Sequence, residues 1–262
     1  MVSSLLRRRY GVLAIILTLA VWAGLSLAMR PLKDADGSYA SHPYGLTTAL
    51  ENQALDLFFQ LRDARHPQLR QRGLSEPITI IEIDEASIKA SNVRLQKWPR
   101  DWYARLIDRA SVGGASVIGL DNFLSEEGGV SAEDRAADQK LAKSIADAGN
   151  VVVAMKTAAG GYEEIKPLPM FADAAYATGF VDLPLDQDGF VRSSQLFQAR
   201  PGQEAKFSFA TRLAEGYLAA SAAEGAPPQY LKPDAEASVR LGERVIRLRN
   251  DLNLQLDFRA RH

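Results

Sequence analysis

The sequence has 262 residues, a formal net charge of −1 and no cysteine. The balanced charge offers no general attraction for nucleic acid, and the lack of cysteine excludes disulfides, thiolate metal sites and a cysteine nucleophile. There are only three histidines, and none sits in a spaced pair, so a histidine metal site or a Ser-His-Asp triad has little to draw on. We therefore expect no resident metal, no cofactor and no nucleic-acid partner.

An apolar run without charge, residues 11–29, follows three arginines at 7–9. Nineteen helical residues at about 1.5 Å each approach the ~30 Å thickness of a bilayer core. The arginines favour a cytoplasmic N-terminus, residues 1–10, and an exported body. We predict a single-pass anchor in the inner membrane. The alternative is a cleaved signal peptide, since residues 26–28 (SLA) look like a cleavage tripeptide.

Two segments of different character follow the anchor. Residues 30–46 are polar and contain prolines and glycines, so they are predicted to form a linker. The rest, 47–262, is predicted to be one extracytoplasmic domain. It opens with a helix over 47–62, where leucines and phenylalanines repeat at helical spacing.

The next stretch alternates short apolar runs with helical patterns. The predicted strands are 78–83, 115–120 and 151–155. The predicted helices are one capped by Asp101 and stopped at Gly113-Gly114, and one over 133–148 with Ala136, Leu141, Ile145 and Ala148 inward. Right-handed crossovers between such strands give a parallel sheet with helices on its faces.

The C-terminal third predicts further strands and one helix. A strand at 179–183 is expected to form a hairpin with 190–197, a second hairpin spans 239–248, and an alternating strand covers 252–258. The helix, 207–218, places Phe209, Leu213 and Tyr217 at four-residue spacing. The predicted fold class is therefore α/β, with a mixed, mainly parallel sheet flanked by helices and preceded by one N-terminal transmembrane helix.

Acidic residues end two of the predicted strands. Glu82 and Asp84 close the first, and Asp121 closes the second. Ligands of open parallel sheets bind outside the carboxyl ends of the strands. With Arg100 in reach, we predict a ligand-binding rim of Asp84, Arg100 and Asp121. The alternative is a structural network in which Asp84 or Asp121 accepts hydrogen bonds from loop amides and from Arg100.

Serines and glycine-rich turns give no catalytic signal. Neither Ser87 nor Ser125 has a histidine base or a nucleophile-elbow sequence around it, so both are interpreted as caps or turns. Residues 186–189 (DQDG) begin like a calcium loop but lack the trailing glutamate, so we predict a β-turn. No catalytic residue is predicted.

Seven stretches in a fixed order resemble a known sensor family. They are ALDLFFQLRD at 54–63, ITIIEIDEASI at 78–88, WPRDWYARLID at 98–108, GGASVIGLDNFLSE at 113–126, GNVVVAM at 149–155, TGFVDLPLDQDGFVRS at 178–193 and FSFATRLA at 207–214. The order is similar to that of the second type of CHASE domain, an extracellular sensory domain associated with cyclases and histidine kinases. The resemblance covers roughly 47–258.

The resemblance implies a membrane-anchored, extracytoplasmic sensor feeding a cyclase, histidine kinase or Ser/Thr kinase. Members usually continue with another strand, transmembrane helices and the output module. This sequence ends after the strand at 252–258, so we expect a C-terminally truncated member with a separate output partner.

The leading hypothesis is a non-enzymatic sensory domain. An unidentified small molecule would act at the rim or at an interface between the protomers of a homodimer. One alternative is a membrane-anchored periplasmic hydrolase that uses the carboxylate cluster with a divalent metal. Another is a purely structural envelope protein.

Overall fold

A computed structural model describes most of the chain after residue 45. The described residues are 17–22, 24, 46–65, 78–93, 98–158, 163–186, 188–199, 204–223, 229–233, 238–248 and 254–255. Most of the predicted anchor at 11–29 and nearly all of the linker at 30–46 lie outside them. Among these described ranges, no helix is long and apolar enough to cross a membrane.

The chain divides into two compact units, which are described separately. The first unit comprises Met1–Ile78, Gln187–Gly189 and Asp257–His262, and the second comprises Thr79–Asp186 and Phe190–Leu256. We call the second unit the body. The only long helix described in the first unit is α1, Leu46–Arg65. It confirms the helix predicted at 47–62.

A parallel sheet of three strands organises the body. Its strands are β1 (Ile118–Leu120), β2 (Val151–Met155) and β3 (Ala177–Phe180), in the order β1-β2-β3. All five residues of β2 are buried, as expected for the central strand of a sheet that is covered on both faces. The predicted parallel sheet is confirmed.

Helices cover both faces of this sheet. On one face α3 (Arg100–Val112) and α4 (Ala132–Ala148) pack together over a core that includes Leu141 and Ile145. On the other face lies α6 (Phe209–Ser221), so close to β3 that a Cβ added to Gly179 would meet backbone atoms of Phe209. Only glycine fits at that crossing.

The termini of these helices follow from local sequence. Helix α4 begins with a capping box between Ser131 and Asp134 and ends at Gly149, which takes the left-handed conformation. The predicted cap of α3 by Asp101 is wrong. Pro99 is the N-cap residue, and Asp101 lies in the first turn, where its carboxylate pairs with Arg105 at 3.1 Å.

The strand predicted at 78–83 is also wrong, because the described residues of this segment join no sheet ladder. Ile80 and Ile81 expose 57% and 61% of their surface, and only Ile83 packs against the core. An apolar run becomes a strand only where a neighbouring edge accepts its hydrogen bonds. The segment leads into a short helix, α2 (Glu85–Ser91).

Short antiparallel elements complete the body. The remaining elements are α5 (Pro169–Ala172), β4 (Ser193–Ser194), β5 (Phe197–Gln198), β6 (Lys206–Phe207), β7 (Lys232–Pro233), β8 (Ser238–Leu241), β9 (Arg244–Arg247) and β10 (Leu254–Gln255). The predicted β8-β9 hairpin is confirmed. The hairpin predicted between 179–183 and 190–197 is wrong, because β3 pairs with β2 while β4 and β5 pair with β10 and β6.

Candidate functional site

Asp84 lies at the N-terminus of α2 and acts as its cap. Its carboxylate accepts hydrogen bonds from the backbone N–H of Ser87, at 2.8 Å, and from the Ser87 hydroxyl, at 2.7 Å. These bonds favour the ionised form and lower the pKa of Asp84 below its ordinary value of 3.8. The side chain stays exposed to solvent. Ser87, which the sequence predicts to be a cap or turn residue, forms this turn.

We predict that Ser87→Ala raises the pKa of Asp84 towards its ordinary value, because the hydroxyl donor is the largest cause of the lowered value. A carboxyl whose pKa is lower in the folded state than in the unfolded state stabilises the folded protein at pH values above its unfolded-state pKa. This stabilisation is lost as the pH falls through the folded-state pKa. An NMR titration of the Asp84 carboxyl measures the shift. Ser91→Ala on the same helix is the control, since Ser91 bonds backbone carbonyls instead. An unchanged Asp84 titration in Ser87→Ala would refute the assignment.

Asp121 follows β1 directly and is exposed. Among the residues described, it forms no hydrogen bond or ion pair with another side chain. Its neighbour Asn122 is fixed, because its amide donates a 2.8 Å hydrogen bond to the Tyr103 hydroxyl. Burial raises the pKa of Tyr103, although the nearby Arg100 charge opposes this effect. The hydrogen bond of Asn122 therefore restrains the backbone beside Asp121, whose carboxylate is exposed to solvent.

Arg100 is the first residue of α3, but its partner is not one of the predicted rim acids. Its Nε lies 3.4 Å from Oδ1 of Asp138 on α4, and its Nη2 donates a 3.1 Å hydrogen bond to the carbonyl of Glu126. Its guanidinium also lies 5.9 Å from the centre of the Phe171 ring. Asp84, Arg100 and Asp121 share no hydrogen bond or ion pair in the described parts of the chain.

Asp138 also contacts the loop that joins β1 to α4. We call the contacts of Asp138 with Arg100 and with Gly128 of this loop the clamp. Its other oxygen accepts a 2.9 Å hydrogen bond from the backbone N–H of Gly128. A Cβ at Gly128 would lie 3.0 Å from Arg100 and 3.1 Å from Asp138, so glycine lets the loop approach both side chains. The clamp therefore holds in place the loop that begins at Asp121.

A second polar group lies at the carboxyl ends of β2 and β3. The Asp182 carboxylate accepts hydrogen bonds from the backbone N–H of Thr157, at 2.7 Å, and from its hydroxyl, at 3.1 Å. The Gln198 amide donates to the same hydroxyl at 3.2 Å. These residues are not among those predicted from the sequence. The available signal was an acid directly after the apolar residues Phe180 and Val181, similar to the signal that pointed to Asp84 and Asp121.

Two further ion pairs were missed. Arg192 donates to Asp186, the first residue of the predicted turn at 186–189, at 2.8 Å with both side chains almost fully buried. On α6, buried Glu215 accepts a 2.8 Å hydrogen bond from Arg212 and another from the backbone N–H of Leu231. Neither pair includes a residue of the rim, and we interpret both as structural.

The hydrolase alternative needs a cluster of metal ligands. Within the described ranges, no group of three or more His, Cys, Asp or Glu residues could hold a metal ion. Within the part of the chain that the structure describes, the carboxylate cluster that this alternative requires is therefore not found.

The chain matches a known protein family over most of its length. The family profile described as "CHASE2 domain" matches residues 19–261, which is most of the chain. No curated protein and no solved structure matches the sequence significantly. The match confirms the resemblance that the seven ordered stretches indicated.

Proposed function

Because the chain belongs to the CHASE2 domain family, whose members are sensory domains of signal-transduction proteins, we propose that it is the extracytoplasmic sensory domain of a membrane-anchored bacterial signalling protein. The family match over 19–261 is the observation on which this proposal rests. The apolar run at 11–29 behind the arginines at 7–9 supports an anchor with its N-terminus in the cytoplasm and the body in the periplasm.

In this proposal the stimulus acts at the rim. Asp84 and Asp121 present exposed carboxylates that suit a ligand with amino groups or a cation. Arg100 contributes indirectly, because its side chain is engaged with Asp138 and Glu126 and fixes the loop that begins at Asp121. Ligand binding would change the position of this loop relative to α2.

The proposed output is a cytoplasmic cyclase, histidine kinase or Ser/Thr kinase, and the chain itself performs no catalysis. These are the output classes that the family resemblance implies. A separate partner protein or a further segment of the same protein could supply the output.

The test compares three strains of the native host. One carries the wild-type gene, one an in-frame deletion of residues 79–256, and one the double variant Asp84→Ala and Asp121→Ala. Cyclic nucleotide levels and histidine, serine and threonine phosphorylation are measured in each. We expect the deletion to change one of these outputs.

We expect the double variant to change the same output while its purified body melts as a folded protein. If the deletion changes none of the outputs, the sensory proposal is wrong. If the deletion changes an output and the folded double variant does not, the stimulus acts elsewhere than at the rim.

A further inference from the structure

Helix α1 carries an apolar face that is exposed to solvent. Leu50 and Leu57 expose 55% and 52% of their surface, and Leu61, Ala54 and Ala64 are also exposed. On the opposite side of the same helix, Asn52, Leu55 and Phe59 are half-buried. The helix therefore has one side that the chain partly covers and another, apolar side that it leaves open.

The spacing of the open side identifies the kind of surface that fits it. Leu50, Ala54, Leu57, Leu61 and Ala64 follow one another at intervals of four, three, four and three residues. This alternation averages 3.5 residues, the repeat of a coiled coil, in which apolar residues at two heptad positions meet a partner helix. We call these five residues the heptad face.

We propose that the heptad face pairs with the same face of a second copy of this chain, in parallel, to form a two-helix coiled coil. A face with this repeat is complementary to its own copy across a two-fold axis. The described flanking positions place no like charges across the contact, because Gln53, Phe58 and Gln60 are uncharged and Arg65 would face the uncharged Gln60 of the second copy. Phe58 lies beside the face and is exposed, so it widens the apolar contact.

The length of the face predicts how strong this pairing is. It spans about two heptads, whereas stable isolated coiled coils usually need about three to four. The pairing is therefore weak between free bodies and is strengthened when two chains share a membrane, because tethering raises the effective concentration. This strengthening rests on the proposed anchor, whereas the identity of the face does not.

Cysteine cross-linking in the full-length chain tests the proposal cleanly, because the sequence contains no cysteine. Single cysteines are placed on the heptad face (Ala54→Cys, Leu57→Cys, Ala64→Cys) and on the opposite side (Asn52→Cys, Phe59→Cys). A membrane-permeable oxidant is applied to isolated membranes and to detergent-solubilised protein. We expect disulfide-linked dimers from positions 54, 57 and 64, and little or none from 52 and 59.

A second variant tests the energetics of the same face. Adding Leu57→Asp to the Ala54→Cys chain is expected to lower the dimer yield by about tenfold or more, because two buried leucines are lost and two carboxylates face each other. Asn52→Asp in the same background, on the opposite side of the helix, should leave the yield nearly unchanged.

Three outcomes would overturn the proposal. They are strongest cross-linking at 52 and 59, no dimer from any heptad position, or an adduct whose mass is not twice that of the chain. The oxidant enters every compartment, so dimer formation is scored independently of where the body lies. Failure of this proposal is thus separate from failure of the proposed function.

Discussion

Asp138→Ala is expected to lower the free energy of unfolding of the body by about 3–5 kcal/mol, because removing one partner leaves a buried charge without compensation. Asp138 is almost fully buried between Arg100 and the backbone N–H of Gly128. Its loss leaves the Arg100 guanidinium without its counter-charge and the Gly128 amide without its acceptor. Urea denaturation of the purified chain measures the change.

The same helix provides a matched control. Asp147 also pairs with a basic residue, Lys143, but both side chains of that pair are largely exposed. Asp147→Ala is therefore expected to cost only about 0.3–0.5 kcal/mol. If Asp138→Ala costs no more than Asp147→Ala, the clamp does not hold the loop. Replacing both partners, Arg100→Met with Asp138→Leu, should recover part of the lost stability.

Glu215→Ala is the second large expected effect, at about 3 kcal/mol or more, because it leaves both Arg212 and the Leu231 amide without an acceptor. Glu215→Gln keeps an acceptor for the Leu231 amide and removes the charge, so it should cost less than alanine. Thermal and urea unfolding of the two variants give the comparison. Equal and negligible losses from alanine and glutamine would show that the buried carboxylate contributes nothing to stability.

The sequence predicted the parallel sheet and its covering helices well, because local signals decide them. Strand β2 is a continuous apolar run, and α4 lies between a capping box at Ser131 and the left-handed Gly149. The segment 78–83 has the isoleucine-rich composition of a buried strand, yet most of its isoleucines are exposed. The pairing of a strand depends on residues that are distant in the sequence, so the local sequence does not predict it.

The partner of Arg100 was missed because the inward side of α4 was assigned from apolar residues alone. That assignment placed Ala136 inward, but Ala136 is exposed, whereas Asp138 is buried in phase with Leu141 and Ile145. Spacings of three and seven residues from those two core positions would have identified Asp138. A polar residue on the core side of a helix is a usable signal for a buried ion pair.

The same error affected α6. The apolar spacing pointed to Phe209, Leu213 and Tyr217, yet Tyr217 is exposed and the buried side chains of this helix include Thr211 and Glu215. Thr211 and Glu215 lie four residues apart and so share one side of the helix. The rim remains a prediction. Its acids were identified as exposed positions that follow apolar segments, but no local sequence pattern indicates which ligand they bind.

Cysteine labelling in intact cells is the most direct test of the central claim, that the body is a sensory domain outside the cytoplasm. A single cysteine at the exposed rim position, Asp121→Cys, is treated with a membrane-impermeant maleimide after the outer membrane is permeabilised. Ser4→Cys, in the segment predicted to be cytoplasmic, is the opposite-side control. We predict labelling at 121 before the inner membrane is lysed, and labelling at 4 only afterwards. Labelling at 121 only after lysis would contradict an extracytoplasmic sensor.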